Sequence, residues 1–386
     1  MKVVIITGNK YPCGDAGAIR QHATAKMFKA LGHEVLVLGY GDPNKNSVKE
    51  YEGILYETFR PYSKNVLVRG IYRYLFVDRV SRYMDRKFKG KKIDWILAVD
   101  FFPRDYKTIS KIARRYHASL IHDSVEWYSP EEFSDGVKNR SYRDKEYTNT
   151  VAVGKGWRVM AISSYLEEHF SKRCDKTVRI PVIMDIDAIE SNLRVSNAEK
   201  IRFSYVGAPG RKDYLKEIIE GFAMLSDDQL KKVELNIVGV DLHQLESVCG
   251  VEKESITKLK DTMVAHGRLP HNEAIKFVRE ADYTLLFRDA SLRYAKAGFP
   301  TKIVESLACG TPPVCNLSSD LAMYLKHGKN AILADGHAPE QIKIALESAI
   351  LTTLEERTTL RRNARETAEK CFDYRQYISE MDKLLK

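Results

Sequence analysis

The stretch YAKAGFPTKIVESLACGTPPVCN, residues 294–316, decides the fold. A loop rich in Gly and Pro ends at Thr301, and the run Lys302–Ala308 then has helical spacing, with Ile303, Leu307 and Ala308 apolar and Glu305 on the flank. Gly310 supplies a C-cap, and the apolar run Pro313–Cys315 predicts a buried parallel strand. A helix entered through a glycine-bearing loop presents unpaired amides and the positive end of its dipole, which suits a phosphate. Glu305, one turn inside, can accept two hydroxyl hydrogen bonds from a ribose. On spacing alone, a ligand-free helix start with a solvated glutamate fits equally well.

The same alternation extends in both directions. Toward the N-terminus the chain opens with a strand (VVIIT, 3–7), a loop from Gly8 to Gly17 and a helix Ala18–Leu31 capped by Gly32. Strands are predicted at 34–40, 54–59, 95–100, 119–124 and 158–163, with helices at 105–116 and 165–172 and a polar, helical stretch at 142–154. His122 and Asp123 fall at a strand C-terminus, where open α/β sheets place their ligands. Glu126 and Trp127 follow as loop packing or as groups facing an acceptor. Residues 190–200 lack hydrophobic periodicity and read as a linker. Beyond it the pattern restarts with strands at 202–207, 233–239, 262–267 and 283–288 and helices at 214–225 and 271–281, before a tail of three helical stretches from Pro339. Two Rossmann-like domains facing each other across a cleft are therefore expected, 1–190 and 201–371, with a final helix from about 372 to 386 whose apolar face is Met381, Leu384 and Leu385.

Composition excludes several classes. With 386 residues, 44% hydrophobic and 30% charged, the chain is long enough for two globular cores. No run approaches the ~20 apolar residues of a membrane span, and Met1–Lys2 opens no signal peptide. The six cysteines are scattered without a C-x-x-C pair, as expected of reduced thiols in a cytoplasmic protein. Residues 60–92 hold eleven Lys and Arg against two Asp, nearly all of the net +10. On a helix, Val77, Val80, Met84 and Phe88 share one face while Arg79, Arg82 and Arg86 lie opposite. Tyrosines and Phe76 interleave with the cations. A solvated face and a surface for anionic lipid head groups or a lipid-diphosphate acceptor fit this segment equally well; nucleic acid fits less well, because no recognised nucleic-acid module appears.

The string GFPTKIVESLACGTPPV resembles the donor-binding signature of retaining GT-B glycosyltransferases of family 4, the glycosyl transferases group 1, which runs E-G-F-x-x-x-x-x-E followed by A-x-G-x-P-V. Glu305 matches the second glutamate. Ala297 stands where the first would be, so the contact to a hydroxyl of the transferred sugar is altered. The resemblance also takes in V-x-x-I-S-S-x-L near 158–166 and VRIPVIMDID before the linker. It implies that the Gly14 and Gly17 loop lies against donor phosphates or acceptor, and that His122 sits near the anomeric centre. Arg211 and Lys212 would clamp the diphosphate, with Arg211 substituting because the family's arginine position is Ala208. The turn 267–270, which carries Arg268, would read the base through its backbone. The amides of Gly298, Phe299, Thr301 and Lys302 would meet the phosphates.

What the family implies is a metal-independent hexosyl transfer with retention. The donor is a nucleotide diphosphate sugar and the acceptor a hydroxyl of a glycan or lipid-linked molecule. No cofactor is needed, and the expected site of action is the inner face of the cytoplasmic membrane in bacterial surface polysaccharide assembly. Asp185-Ile186-Asp187 is formally a D-x-D, but its position argues against a metal. The alternatives are a nucleotide-sugar epimerase on the same scaffold and a non-catalytic homologue that binds glycan or membrane.

Overall fold

The computed structural model describes residues 1–12, 16–41, 48–59, 65–99, 101–194, 199–210 and 212–386. They form two compact units, Met1–Asp185 with Asp373–Lys386, and Ile186–Phe372.

The first unit is built on β1 (Lys2–Lys10), β2 (Glu34–Tyr40), β3 (Lys49–Tyr51), β4 (Ile54–Thr58), β5 (Trp95–Val99), β6 (Ser119–Ser124), β7 (Trp157–Ala161) and β8 (Lys176–Arg179). Their order is β3-β4-β2-β1-β5-β6-β7-β8, parallel throughout except for the β3–β4 hairpin. Central strands flanked by helices on both faces must be apolar on both faces; Val3–Ile6 and Ile96–Ala98 are fully buried. The chain builds outward from β1 to β2 and β4, then returns to the other side of β1 with β5, so the sheet has its topological switch point between β1 and β5. The basic segment forms two helices, Val66–Tyr74 and Phe76–Lys87, broken at Leu75. Val77, Val80, Met84 and Phe88 are buried as the amphipathic pattern predicts, and Arg82 and Arg86 are exposed. The last helix, Ile378–Leu385, buries Met381, Leu384 and Leu385 in this unit's core.

The second unit is built on β9 (Ile201–Val206), β10 (Val233–Val238), β11 (Met263–Ala265), β12 (Tyr283–Leu286), β13 (Pro313–Asn316) and β14 (Ile332–Ala334). The order β11-β10-β9-β12-β13-β14 is all parallel and puts the switch point between β9 and β12. Short helices at Leu242–Ser247, Lys253–Lys258 and Arg293–Ala297 lie in stretches without readable periodicity. Among the described residues no helix is long and apolar enough to cross a membrane.

Candidate active site

Three glycines end three neighbouring strands of the second unit. Gly207, Gly239 and Gly267 follow β9, β10 and β11 with φ of +152°, +124° and +68°, a region that side chains disfavour. Their backbones close on one another: the Gly207 amide donates to the Val238 carbonyl (2.9 Å), that of Gly239 to the Gly267 carbonyl (2.8 Å) and that of Gly267 to the Val240 carbonyl (3.0 Å). A Cβ at Gly239 would fall 2.0 Å from the Gly207 oxygen, and one at Gly207 would fall 2.3 Å from Lys302 Cε. The side chain of Lys302 crosses directly over this glycine floor.

Lys302 stands in the first turn of the helix Thr301–Ala308. That helix forms because Ile303, Val304, Leu307 and Ala308 are buried on one side, and it ends at Gly310, whose φ of +74° only glycine adopts without strain. Its N-cap is Pro300 and no side chain caps it, so the opening amides of Thr301 and Lys302 are not closed off by a capping group. The Lys302 ammonium is 2.5 Å from Asp213 Oδ2 and 3.3 Å from the Tyr205 hydroxyl, and Arg288 lies 4.0 Å from the other carboxylate oxygen. Burial opposes ionisation of Asp213, but Lys302 and Arg288 outweigh it and hold the carboxyl below its ordinary range.

One turn further in, Glu305 lines a cavity at the β9/β12 switch point. Its lining is mostly apolar, with Ile275, Val278, Leu285 and Ile303, and Lys302 and His271 are among its polar members. Burial pushes the Glu305 carboxyl up to about 7, against the pull of Lys302. Uncapped amides, an ammonium and a carboxyl beside an apolar slot suit a phosphate chain, a ribose and a planar base in that order.

Comparison with known proteins agrees with this arrangement. Residues 189–367 match the model for glycosyl transferases group 1. The chain carries a group 1 glycosyltransferase domain. The glycosyltransferase MJ1069 of Methanocaldococcus jannaschii is 24% identical over 254 residues, 62% of this chain and 58% of that protein, so the match spans little more than half of that relative. Solved structures resemble the chain over its whole length. Sucrose-phosphate synthase from Thermosynechococcus elongatus has a TM-score of 0.72 at 16% identity, covering 99% of this chain and 98% of that one. Alr3699/HepE of Anabaena, in complex with UDP and glucose, has 0.68 at 18%, covering 100% and 99%. WaaG, a glycosyltransferase involved in lipopolysaccharide biosynthesis, has 0.66 at 15%, covering 99% of each chain. These likenesses show the fold, the GT-B architecture of two parallel-sheet domains.

In this glycosyltransferase domain the other expected site residues fall in different places. Lys212 lies against the helix Arg293–Ala297, its ammonium 5.7 Å from the Tyr294 ring centre, and the Tyr294 hydroxyl donates to the Lys212 carbonyl (3.1 Å). Arg268 is exposed on the turn after Gly267, and Thr301 is half-buried in the helix's first turn. One expectation needs correction. The Gly298 amide donates to the Tyr294 carbonyl (2.9 Å), closing the short helix Arg293–Ala297, so it is not turned to an anion. Phe299 is 5% exposed and packs its ring against Tyr324 and Phe372, which anchors the loop that carries its amide. Ala297, where a glutamate was expected from the motif, is fully buried. Sequence reasoning missed the Lys302 side chain, Asp213, Tyr205 and His271; a lysine next to a helix N-cap and an aspartate after a glycine turn were the available signals.

In the first unit, His122 is also corrected. It points into a cluster of Tyr106, Trp157 and Phe170, with Nδ1 3.2 Å from the Tyr106 hydroxyl and 1% exposure. Burial pushes its pKa down to about 3, leaving a neutral core imidazole with no open face for a sugar. Its neighbour Asp123 points to the opposite face of the sheet, where it is gripped by Arg20 (2.9–3.1 Å), which also donates to the carbonyls of Ile180 and Pro181. Gly17 lies within the helix Ala16–Ala30, which starts two residues earlier than its apolar pattern. Gly14 and Arg211 lie outside the described residues. Asp185, half of the D-x-D, is bound by Lys26 (2.7 Å) and Arg375 (3.1 Å). Among the described residues no group of three or more His, Cys, Asp or Glu is arranged to hold a metal.

Proposed function

We propose that the chain is a retaining, metal-independent glycosyltransferase that moves a hexose from a nucleotide diphosphate sugar to a hydroxyl of a glycan or lipid-linked acceptor. The observation that carries this is the helix mouth of the second unit, uncapped and crossed by Lys302, with Glu305 inside the adjoining cavity. In such a transfer, negative charge grows on the leaving diphosphate. Fixed amide dipoles at Thr301 and Lys302, the Lys302 ammonium and the nearby Lys212 stabilise that charge without reorganising. Glu305 as a carboxylate accepts from the ribose hydroxyls. Retention by way of the donor phosphate follows from the family resemblance and asks no carboxylate pair of the protein. UDP and UDP-glucose are bound by Alr3699/HepE, and UDP-sugars are the first donors to try. Calorimetry on Glu305→Ala should show UDP-glucose or another cognate nucleotide sugar bound on the order of 10-fold more weakly, about 1.4 kcal/mol. Unchanged affinity in this variant would sink the assignment of the site.

Action at the inner face of the bacterial cytoplasmic membrane, in surface polysaccharide assembly, is part of the same reading. Leu67, Ile71 and Tyr74 are 78%, 57% and 47% exposed at i, i+4 and i+7 of the helix Val66–Tyr74. Exposed Arg73, Arg82, Arg86, Lys89, Lys91 and Lys92 lie in the same segment. An apolar stripe flanked by cations suits an anionic bilayer interface. Co-sedimentation with phosphatidylglycerol vesicles should drop about 10-fold in the double variant Leu67→Ser, Ile71→Ser, and neutral vesicles should capture neither protein.

A further inference from the structure

The residues that line the cavity beside Glu305 come from the ends of β9 and β12 and from two helices, His271–Glu280 and Thr301–Ala308. The strands are held to each other by the parallel ladder of the sheet. The helices have no ladder between them, so the gap they leave depends on what fixes each one. Both are fixed at their C-terminal ends from a single place. On the long helix Leu354–Cys371, Arg361 and Arg365 stand one turn apart on one face, an i, i+4 pair of like charges that repels unless each finds better partners elsewhere. Arg361, 1% exposed, donates from Nη2 to the Arg279 carbonyl (2.9 Å), from Nη1 to that of Ala281 (2.5 Å) and from Nε to that of Asn192 (2.8 Å). Arg365 donates from Nη1 to the carbonyls of Ala308 (2.6 Å) and Ile189 (2.9 Å) and from Nη2 to that of Ile186 (3.1 Å), and Glu369 accepts from its Nε (2.7 Å). Thr311 joins the same two ends, its hydroxyl donating to the Val278 carbonyl (2.8 Å) and its amide to that of Ser306 (2.9 Å).

A helix leaves its last carbonyls without internal partners, and a cation is favoured there. A planar guanidinium that spans separate carbonyls does more than cap them, because its rigid fork also fixes the distance from one to the next. The two arginines are about 6 Å apart along their own helix, at 1.5 Å per residue. One rod therefore holds the ends of both cavity helices in register. We infer that Arg361 and Arg365 are positioning residues that set the width of the slot between these helices, and thereby which nucleotide base the slot accepts. This rests on the reading of the cavity as the donor's nucleoside site.

Calorimetry on the full chain with UDP, ADP and GDP tests it. The three share a ribose and a diphosphate and differ only in the base. A loss of global stability changes none of the affinities of the folded protein, and a disturbed helix mouth changes all three alike. A slot without its fixed width penalises the base that fits best. In Arg365→Gln and Arg361→Lys the Kd of the preferred diphosphate should rise about 10-fold, and those of the other two should shift by less than about twofold. Arg362→Gln, exposed on the same helix, removes the same charge and should leave all three values unchanged. If Arg361→Lys, at its fully buried position, yields no folded protein, Arg365→Gln decides alone, since that side chain is 13% exposed. Equal weakening of all three ligands, or unchanged binding in the variants, overturns the role. Wild-type protein that binds none of the three sinks the reading of the site, and this role with it, before any variant is made.

Discussion

The two units solve the same placement problem with different side chains. Each has a parallel sheet with a switch point, β1/β5 in one and β9/β12 in the other, and each opens a cavity there. In each, a carboxyl on a helix after the first strand beyond the switch lines that cavity, Asp105 in the helix directly after β5 and Glu305 in the second helix after β12, and burial pushes both up to about 7. The strand ends differ. In the second unit three positive-φ glycines clear the floor and a lysine is pinned across it by Asp213, leaving backbone amides and a fixed cation for a phosphate chain. In the first unit aromatic rings line the cavity and the cations beside it are arginines. The topology fixes where a ligand goes, and the residues at the strand ends fix what class it is.

The sharpest way to break this comparison is to fill the glycine floor. Gly239→Ala would drive a methyl to 2.0 Å from a backbone oxygen, at a φ of +124°, with nothing flexible to yield. We expect a loss on the order of 3 kcal/mol or more in urea unfolding, or no soluble protein. The control is Gly70→Ala in the helix Val66–Tyr74, where no atom lies within 4 Å; it should gain up to about 1 kcal/mol. Next in size is Lys302→Met. It leaves Asp213, 8% exposed, without its closest cation, which should cost about 3 kcal/mol at neutral pH and weaken UDP-glucose binding by at least about 10-fold. Because the Asp213 carboxyl is held below its ordinary range, that stability is present above pH ~4 and is lost in wild type as acid protonates it. A Lys302→Met protein that is fully stable and binds donor normally would show that the lysine is not the site's fixed charge.

Much of this was readable from the chain alone. The run Thr301–Ala308 with its Gly310 stop announces itself because a buried helix face, a glycine cap and a following apolar strand are all local features. The buried face Val77, Val80, Met84 and Phe88 is likewise a matter of spacing. What stayed hidden depends on contacts distant in sequence. Period-two alternation says that His122 and Asp123 point to opposite faces of a strand, but not which face carries Trp157 and Phe170 and which carries Arg20. The break at Leu75 carries no Gly or Pro. Gly298 reads as a ligand-facing loop glycine until the helix Arg293–Ala297, only five residues long, claims its amide. Asp105 lines a cavity together with Phe76 and Phe101, residues that no periodicity connects to it.

The subtlest test compares the two carboxyls directly. A carboxyl raised to about 7 in the native state keeps its proton between pH ~4.5 and ~7, while the same group in the unfolded chain has lost it. The native state then binds more protons, so unfolding free energy falls as pH rises, by at most about 1.4 kcal/mol per pH unit for each group, and levels off above pH 7. Glu305→Gln and Asp105→Asn should each remove one share of that slope in urea unfolding measured from pH 5 to 7.5. Ligands separate the shares. UDP-glucose, whose diphosphate carries no proton to titrate in this range, should bind more tightly from pH 6 to 8 as Glu305 becomes an acceptor, and this gain should vanish in Glu305→Gln but persist in Asp105→Asn. A pH profile that responds to neither substitution would mean that both carboxyls are already ionised in the free protein, and the parallel between the two cavities would reduce to one of topology.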